Sequence, residues 1–310
     1  MYKEKSLLDR LIVLGIALCL TGCSGGKPDH HLAASGSSKP TKHKENVIRV
    51  TKRAANLDGR VFVAEYHHIR AGKGDMYRTP KQFKDDLQSF YDLGFRPVLA
   101  SEFLENKMPL PAGASPIVIT FDDSMPTQLQ LRDDGSVDPT CAVGIWQSFA
   151  KEHPDFPVRA TFFILADHLW TTNESDPRKP KLLRDLGCEF ANHTISHPQL
   201  RRLSDARVKS ELGTANEKLV ELGQPMPVSM ALPYGIFPKN RALLKGFDWK
   251  GKHVAFTGVF LSGAQPSRSP NDPKFNRLRI PRILATPVKF GLDYWLKELK
   301  EGRVRPYVQP

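Results

Sequence analysis

Apolar positions in this chain fall into two alternating patterns. Short runs rich in β-branched and aromatic residues are followed by longer stretches whose apolar positions recur three and four residues apart, the signatures of strands and amphipathic helices. The runs at 61–66, 97–100, 117–121, 160–165, 228–232, 254–256 and 278–283 read as strands. Thr79-Pro80 opens a helix with Phe83, Leu87, Phe90 and Tyr91 on one face and Gly94 at its end. Further helices are expected through Phe103 and Leu104, over 146–150, over 182–186, near 240–244 and over 290–299. The clearest starts at Ser204, with Val208, Leu212, Ala215, Leu219 and Leu222 on its apolar face. Repeated βα units predict an α/β fold with a parallel sheet or barrel and active residues at the C-terminal ends of the strands. No internal repeat breaks the series into more than one catalytic domain.

The first fifth of the chain departs from this pattern. Lys3 and Lys5 precede an apolar run over 11–20, shorter than a comfortable membrane span and suited to a secretory leader. The run closes on Leu20-Thr21-Gly22-Cys23, which resembles the bacterial lipoprotein signal. That resemblance implies a leader over 1–22 and an exported protein anchored in a membrane through lipidated Cys23, facing the periplasm or the cell exterior. A plain signal peptide is the blander alternative. Residues 23–58 are polar, with Gly25-Gly26 and Ser35-Gly36-Ser37-Ser38, and read as a flexible tether ahead of a domain over 59–310.

Composition adds little until charge is considered. Hydrophobic residues make up 40% of 310, enough for a sizeable core. The formal net charge of +12 suits solubility or a surface near anionic lipid or wall polymer. No helix-turn-helix or basic-aromatic motif accompanies it, which argues against nucleic acid. Cys141 and Cys188 are left once Cys19 and Cys23 are assigned to the leader and the anchor. An exported protein could pair them, and two buried free thiols are equally compatible with the sequence.

Candidate chemistry gathers in two places. The run Ile117-Val118-Ile119-Thr120-Phe121 ends in Asp122-Asp123, and His193-Thr194-Ile195-Ser196-His197 follows some seventy residues later. Neighbouring residues on an extended segment point in different directions, so one Asp can bind a metal while the other faces substrate. Two imidazoles four residues apart can share that metal, the outfit of a metal-dependent hydrolase. Pro198 disfavours a helix at His197, which places the pair on a loop after a strand. Asn192 and Thr194 are candidates to orient the rings. The stretch 125–139 reads as a surface turn, with a substrate lid as the alternative.

Thr120-Phe121-Asp122-Asp123 with Asn192-His193-Thr194-Ile195-Ser196-His197 resembles the first two motifs of the polysaccharide deacetylases, carbohydrate esterase family 4. Arg159-Ala160-Thr161-Phe162-Phe163 and Leu232-Pro233-Tyr234-Gly235 resemble further family segments. Tyr66-His67-His68-Ile69 and Arg279-Ile280-Pro281-Arg282-Ile283 resemble the branch that deacetylates biofilm poly-N-acetylglucosamine. The resemblance implies a distorted (β/α) barrel. It also implies Asp122 as general base, with Asp123, His193 and His197 as ligands of one divalent metal, zinc first and nickel, cobalt or iron as alternatives. The backbone N–H of Tyr234, beside Pro233, would receive the oxyanion. The implied substrate is an acetylated polysaccharide, losing N-acetyl groups. An O-acetyl esterase and a catalytically weak carbohydrate-binding protein of the same fold are the rivals. The sequence departs from the family at Ser124, where Gly is usual, and at Ala231, where many members carry an Arg that orients the base. It also lacks a late Leu-x-His motif for the catalytic acid, leaving His67, His68 or Asp122 as proton donors. Asp248-Trp249 is read as a loop.

Overall fold

The structure, a computed structural model, describes residues 53–170 and 176–310. The leader, Cys23 and the tether up to residue 52 lie outside the described residues. In chain order the strands are β1 (Phe62–Tyr66), β2 (His68–Ile69), β3 (Tyr77–Arg78), β4 (Phe95–Val98), β5 (Ser115–Asp122), β6 (Thr161–Ile164), β7 (Glu189–Asn192), β8 (Val228–Ala231), β9 (Phe247–Trp249), β10 (Lys252–Val254), β11 (Phe256–Ala264) and β12 (Ile280–Leu284). The helices are α1 (Pro80–Asp92), α2 (Ala100–Glu105), α3 (Ala142–Glu152), α4 (Arg178–Asp185), α5 (Asp205–Glu221) and α6 (Leu292–Lys300).

Seven parallel strands close a barrel in the order β1-β12-β11-β8-β7-β6-β5, with β5 returning to β1. β4 pairs alongside the first half of β5. This is the distorted (β/α) barrel expected of polysaccharide deacetylases. All eight residues of β5 are buried, as a strand with a packed barrel interior on one face and helices on the other requires. α1 starts where expected: the Thr79 hydroxyl accepts from the Gln82 N–H, and the Gln82 side chain accepts from the Thr79 N–H. Phe83, Leu87 and Phe90 then face the core. Ser204 caps α5, which buries Val208, Leu212, Ala215 and Leu219.

Several elements differ from the sequence reading. β11 runs nine residues, where only its start was expected, because Gly258 and Ser262-Gly263 interrupt its apolar pattern. Asp248-Trp249 lies in the β9–β10 hairpin, not in a loop. Residues Arg241–Leu244 form a 3₁₀ turn capped by Asn240. The last helix starts at Leu292, because Phe290 is exposed with a φ of 66°.

The domain also begins earlier than Gly59. The Arg53 guanidinium donates to Gly113 O and Gly94 O at 3.0 Å and to Ser115 Oγ at 2.9 Å. Asn56 donates through Nδ2 to Pro306 O at 2.8 Å and pairs its backbone with Val308. At about 1 kcal/mol per net hydrogen bond, a fragment beginning at Gly59 is expected to be roughly 2–4 kcal/mol less stable than one beginning at Val47. Urea unfolding of the two compares them, and equal midpoints would return the boundary to Gly59.

Cys141 and Cys188 are both free and buried. Burial pushes the Cys188 thiol up to about 12. The thiolate is the reactive form, so at pH 8 both thiols of a 47–310 fragment should resist a disulfide reagent until denaturant is added. Rapid labelling of either in the folded fragment would contradict this packing.

Candidate active site

The site sits at the C-terminal mouth of the barrel. β5 ends on Asp122, and the chain then turns through Asp123 and Ser124 with φ of 67° and 50°. A left-handed backbone at Ser124 explains why Gly is favoured there. Here the Ser124 hydroxyl accepts from the Leu165 N–H at 3.2 Å, and its carbonyl accepts from the Trp170 N–H. Thr194, His197 and Tyr234 also have positive φ. Such residues cost on the order of 1–3 kcal/mol each and persist only where packing over-determines them.

Asp123, His193 and His197 converge. Asp123 Oδ1 lies 3.2 Å from His193 Nε2 and 3.5 Å from His197 Nε2, and one donor atom from each residue fits within a 4.8 Å cluster. His193 holds its Nδ1 at 2.9 Å from Ala231 O, which leaves Nε2 aimed at the cluster. Both His193 Nε2 and Asp123 Oδ1 are buried without a hydrogen-bond partner. Buried polar atoms are rarely left so, and a cation among them would satisfy both. Electrostatics agree with this. Burial alone lowers the His193 pKa, but the charges of Asp122 and Asp123 outweigh it and raise the pKa, so the pocket favours positive charge. Burial would raise the Asp123 pKa, and the three imidazoles around it hold it well below the usual carboxylate range instead.

The histidine loop is pinned from below. Asn192 Oδ1 accepts from the Thr194 N–H at 2.8 Å, and Thr194 Oγ1 accepts from the His197 N–H at 3.0 Å. Glu211 on α5 accepts from the N–H groups of Ile195 and Ser196, both at 3.1 Å. Asn192 and Thr194 therefore fix the loop backbone, and the ring-orienting partner of His193 is a carbonyl of β8.

Asp122 points into the barrel, 1% exposed. The Arg282 guanidinium, from β12, meets it with two bonds of 2.7 and 2.6 Å. Arg282 also donates through Nε to Leu261 O at 2.7 Å and through Nη1 to Thr120 Oγ1 at 3.2 Å, and its Nη2 lies 3.2 Å from Glu65 Oε1. Four of its five N–H donors are thus hydrogen-bonded within a fully buried site, and Glu65 adds an ion pair. Burial would raise the Asp122 pKa, but Arg282 foremost, then His193, holds it below the ordinary value. Sequence reasoning missed this residue. The available signal was Ala231, which leaves Asp122 without the usual Arg, together with Arg282 as a lone charge between Ile280 and Ile283 in a strand.

The remaining candidates separate. His67 enters the site: its Nε2 is 3.9 Å from Glu65 Oε1 and 4.0 Å from carboxylate oxygens of both Asp122 and Asp123. His68 turns away and stacks on Tyr77 at 4.7 Å between ring centres. Pro233 is buried, and Tyr234, 56% exposed, sets its ring 4.6 Å from that of His197 at the rim. The 125–139 stretch is mixed. Gln128 is buried and donates to His67 O and Asp122 O, while the turn over 132–136 is exposed.

The chain is similar to several known proteins. Residues 111–245 match the family model described as polysaccharide deacetylase. That span contains both motif clusters and Tyr234, and leaves out His67 and Arg282. A chitooligosaccharide deacetylase from Bradyrhizobium is 28% identical over 42% of this chain, and the match spans half of that relative's length. Among solved structures, the Streptococcus pyogenes deacetylase PplD in complex with acetate aligns with a TM-score of 0.58 at 18% identity, over 82% of this chain and 100% of that one. IcaB from Ammonifex degensii aligns with a TM-score of 0.52 at 19% identity, over 74% and 93%.

Proposed function

We propose that this chain, whose residues 111–245 match the polysaccharide deacetylase family model, is a metal-dependent hydrolase. It removes N-acetyl groups from an N-acetylhexosamine polysaccharide while anchored to a membrane through Cys23. The observation that carries the reading is the convergence of Asp123, His193 and His197 around unpartnered buried atoms, beside a carboxylate clamped by Arg282. Two imidazoles and one carboxylate suit zinc, with nickel, cobalt or iron as alternatives. A divalent cation held there would polarise the acetyl carbonyl and acidify a water to a pKa of about 7.

The chain's own residues supply the rest. Asp122 accepts the proton of the attacking water, and its held-down pKa keeps it ionised for that task. Arg282 fixes both carboxylate oxygens, so Asp122 presents one orientation to the water. The backbone N–H of Tyr234 would receive the oxyanion as it forms. An amine leaves only once protonated, and the buried imidazole of His67, between Glu65, Asp122 and Asp123, is placed to give that proton. An acid at that position suits amide cleavage, whose leaving amine must be protonated. The Bradyrhizobium relative, a chitooligosaccharide deacetylase, supports a substrate of the same class.

The test is acetate release by a 47–310 fragment from N-acetylated chitooligomers, β-1,6-linked poly-N-acetylglucosamine and O-acetylated glycans. Release from N-acetylated chains that a chelator abolishes and added metal restores is expected. Turnover of O-acetyl groups alone would make the protein an esterase, and tight glycan binding without release would make it a binding protein.

A further inference from the structure

Two adjoining grooves open at the end of the barrel opposite the catalytic mouth. One, of about 400 Å³, is lined by Arg60, Arg303 and Arg305. The other, of about 290 Å³, shares Arg60 and adds Arg268, Lys274 and Arg279. Six cations thus face one lining carboxylate, Asp58. Arg268 is paired with Asp272, and Arg303 with Glu298 and Glu301. Arg60, Lys274, Arg279 and Arg305 have no ion-pair partner among the described residues, and all but the half-buried Arg60 are exposed.

The three segments that carry these charges are tied together. The Arg60 N–H donates to Arg305 O at 2.9 Å, and Arg60 O accepts from the Tyr307 N–H at 2.8 Å. Val61 and Ser267 exchange backbone bonds of 3.0 and 2.8 Å. The charges are therefore held on fixed backbone. Arg60 lies two residues before β1 and Arg279 one before β12, at the strand ends remote from Asp122. The chain enters the domain at the same place, since Asn56 and Asp58 line the first groove.

We propose that this basic face docks on the anionic phospholipid headgroups of the membrane that carries the anchor. The first described residues of the chain, from Arg53 to Asp58, lie on this basic side, and Cys23 precedes Arg53 by 30 positions. Charge complementarity selects phosphate-bearing lipid. The position opposite the mouth selects a surface over the substrate polymer, which must reach Asp122. Docked this way, the domain turns its active site toward the polymer.

The inference rests on the proposed anchor through Cys23 and not on the deacetylase chemistry. The experiment is co-sedimentation of the 47–310 fragment, which forms one compact unit, with vesicles of phosphatidylglycerol and phosphatidylcholine against phosphatidylcholine alone. A basic residue near such a surface contributes about fivefold in affinity. Binding only to the anionic vesicles is expected, weakened by salt and reduced at least tenfold in Arg60→Glu/Lys274→Glu/Arg305→Glu. Acetate release from a soluble oligomer should be unchanged in that variant, which also reports that it folds. Equal binding to both vesicle types, or undiminished binding by the variant, overturns the proposal. So does binding confined to a soluble polyglycerol phosphate, which would make the partner an anionic polymer. Absence of acetate release in the unaltered fragment would count against the deacetylase reading alone.

Discussion

Asp122→Asn should retain a full complement of metal and lose about a hundredfold to ten-thousandfold in kcat/KM. The reasoning is geometric. Asp123, His193 and His197 supply the converging donor atoms, whereas both oxygens of Asp122 are engaged by Arg282. An amide at 122 keeps the shape of the side chain but cannot take a proton from water. It also presents an N–H₂ toward Arg282, so some loss of stability will accompany the loss of turnover. Metal content by elemental analysis separates the two effects. A variant with full metal and half the original turnover would remove Asp122 from the role of base.

Arg282→Met should cost more in stability than any surface substitution and should also remove most turnover. Breaking one side of a buried ion pair typically costs about 3–5 kcal/mol, because the remaining charge is stranded. Two carboxylates are stranded here, Asp122 and Glu65, each 1% exposed. Arg282→Lys keeps the charge but cannot bond both oxygens of Asp122 and Leu261 O together. It should recover part of the stability and little of kcat, with KM near the original. Urea unfolding and steady-state kinetics on the pair test this. Full kcat in the Lys variant would show that charge alone, without the two-point clamp, suffices to hold the base.

The legible and illegible parts of the molecule follow one physical division. Local signals were read well: the Thr79 and Ser204 caps, the β-branched run of β5, and the Asp-Asp and His-x₃-His motifs at the ends of strands. Ranks of the barrel strands were legible because parallel strands buried on both faces read as continuous apolar runs. What escaped was long-range. Arg282 meets Asp122 across 160 positions, and no periodicity connects them. Glu65 interrupts the apolar run at 61–66 and Arg282 that at 280–283. A lone charge inside a buried strand requires a partner, so those two opposite charges were the available clue. β11 was truncated because its glycines and Ser262 mask a strand whose far end supports Glu65, through Ser262 Oγ and the Gly263 N–H, both at 3.0 Å.

The delivery of Arg282 by the twelfth strand sets the order in which the molecule can become competent. All the atoms that would grip a cation are present once residue 197 has been made, but the clamp on Asp122 arrives only with residue 282. β12 is also the strand that lies between β11 and β1 and so seals the ring. Sealing and arming are a single event. A chain that ends before β12 lacks both the clamp on Asp122 and the strand that closes the ring. The proposed base is therefore held in place only once residue 282 has been laid down.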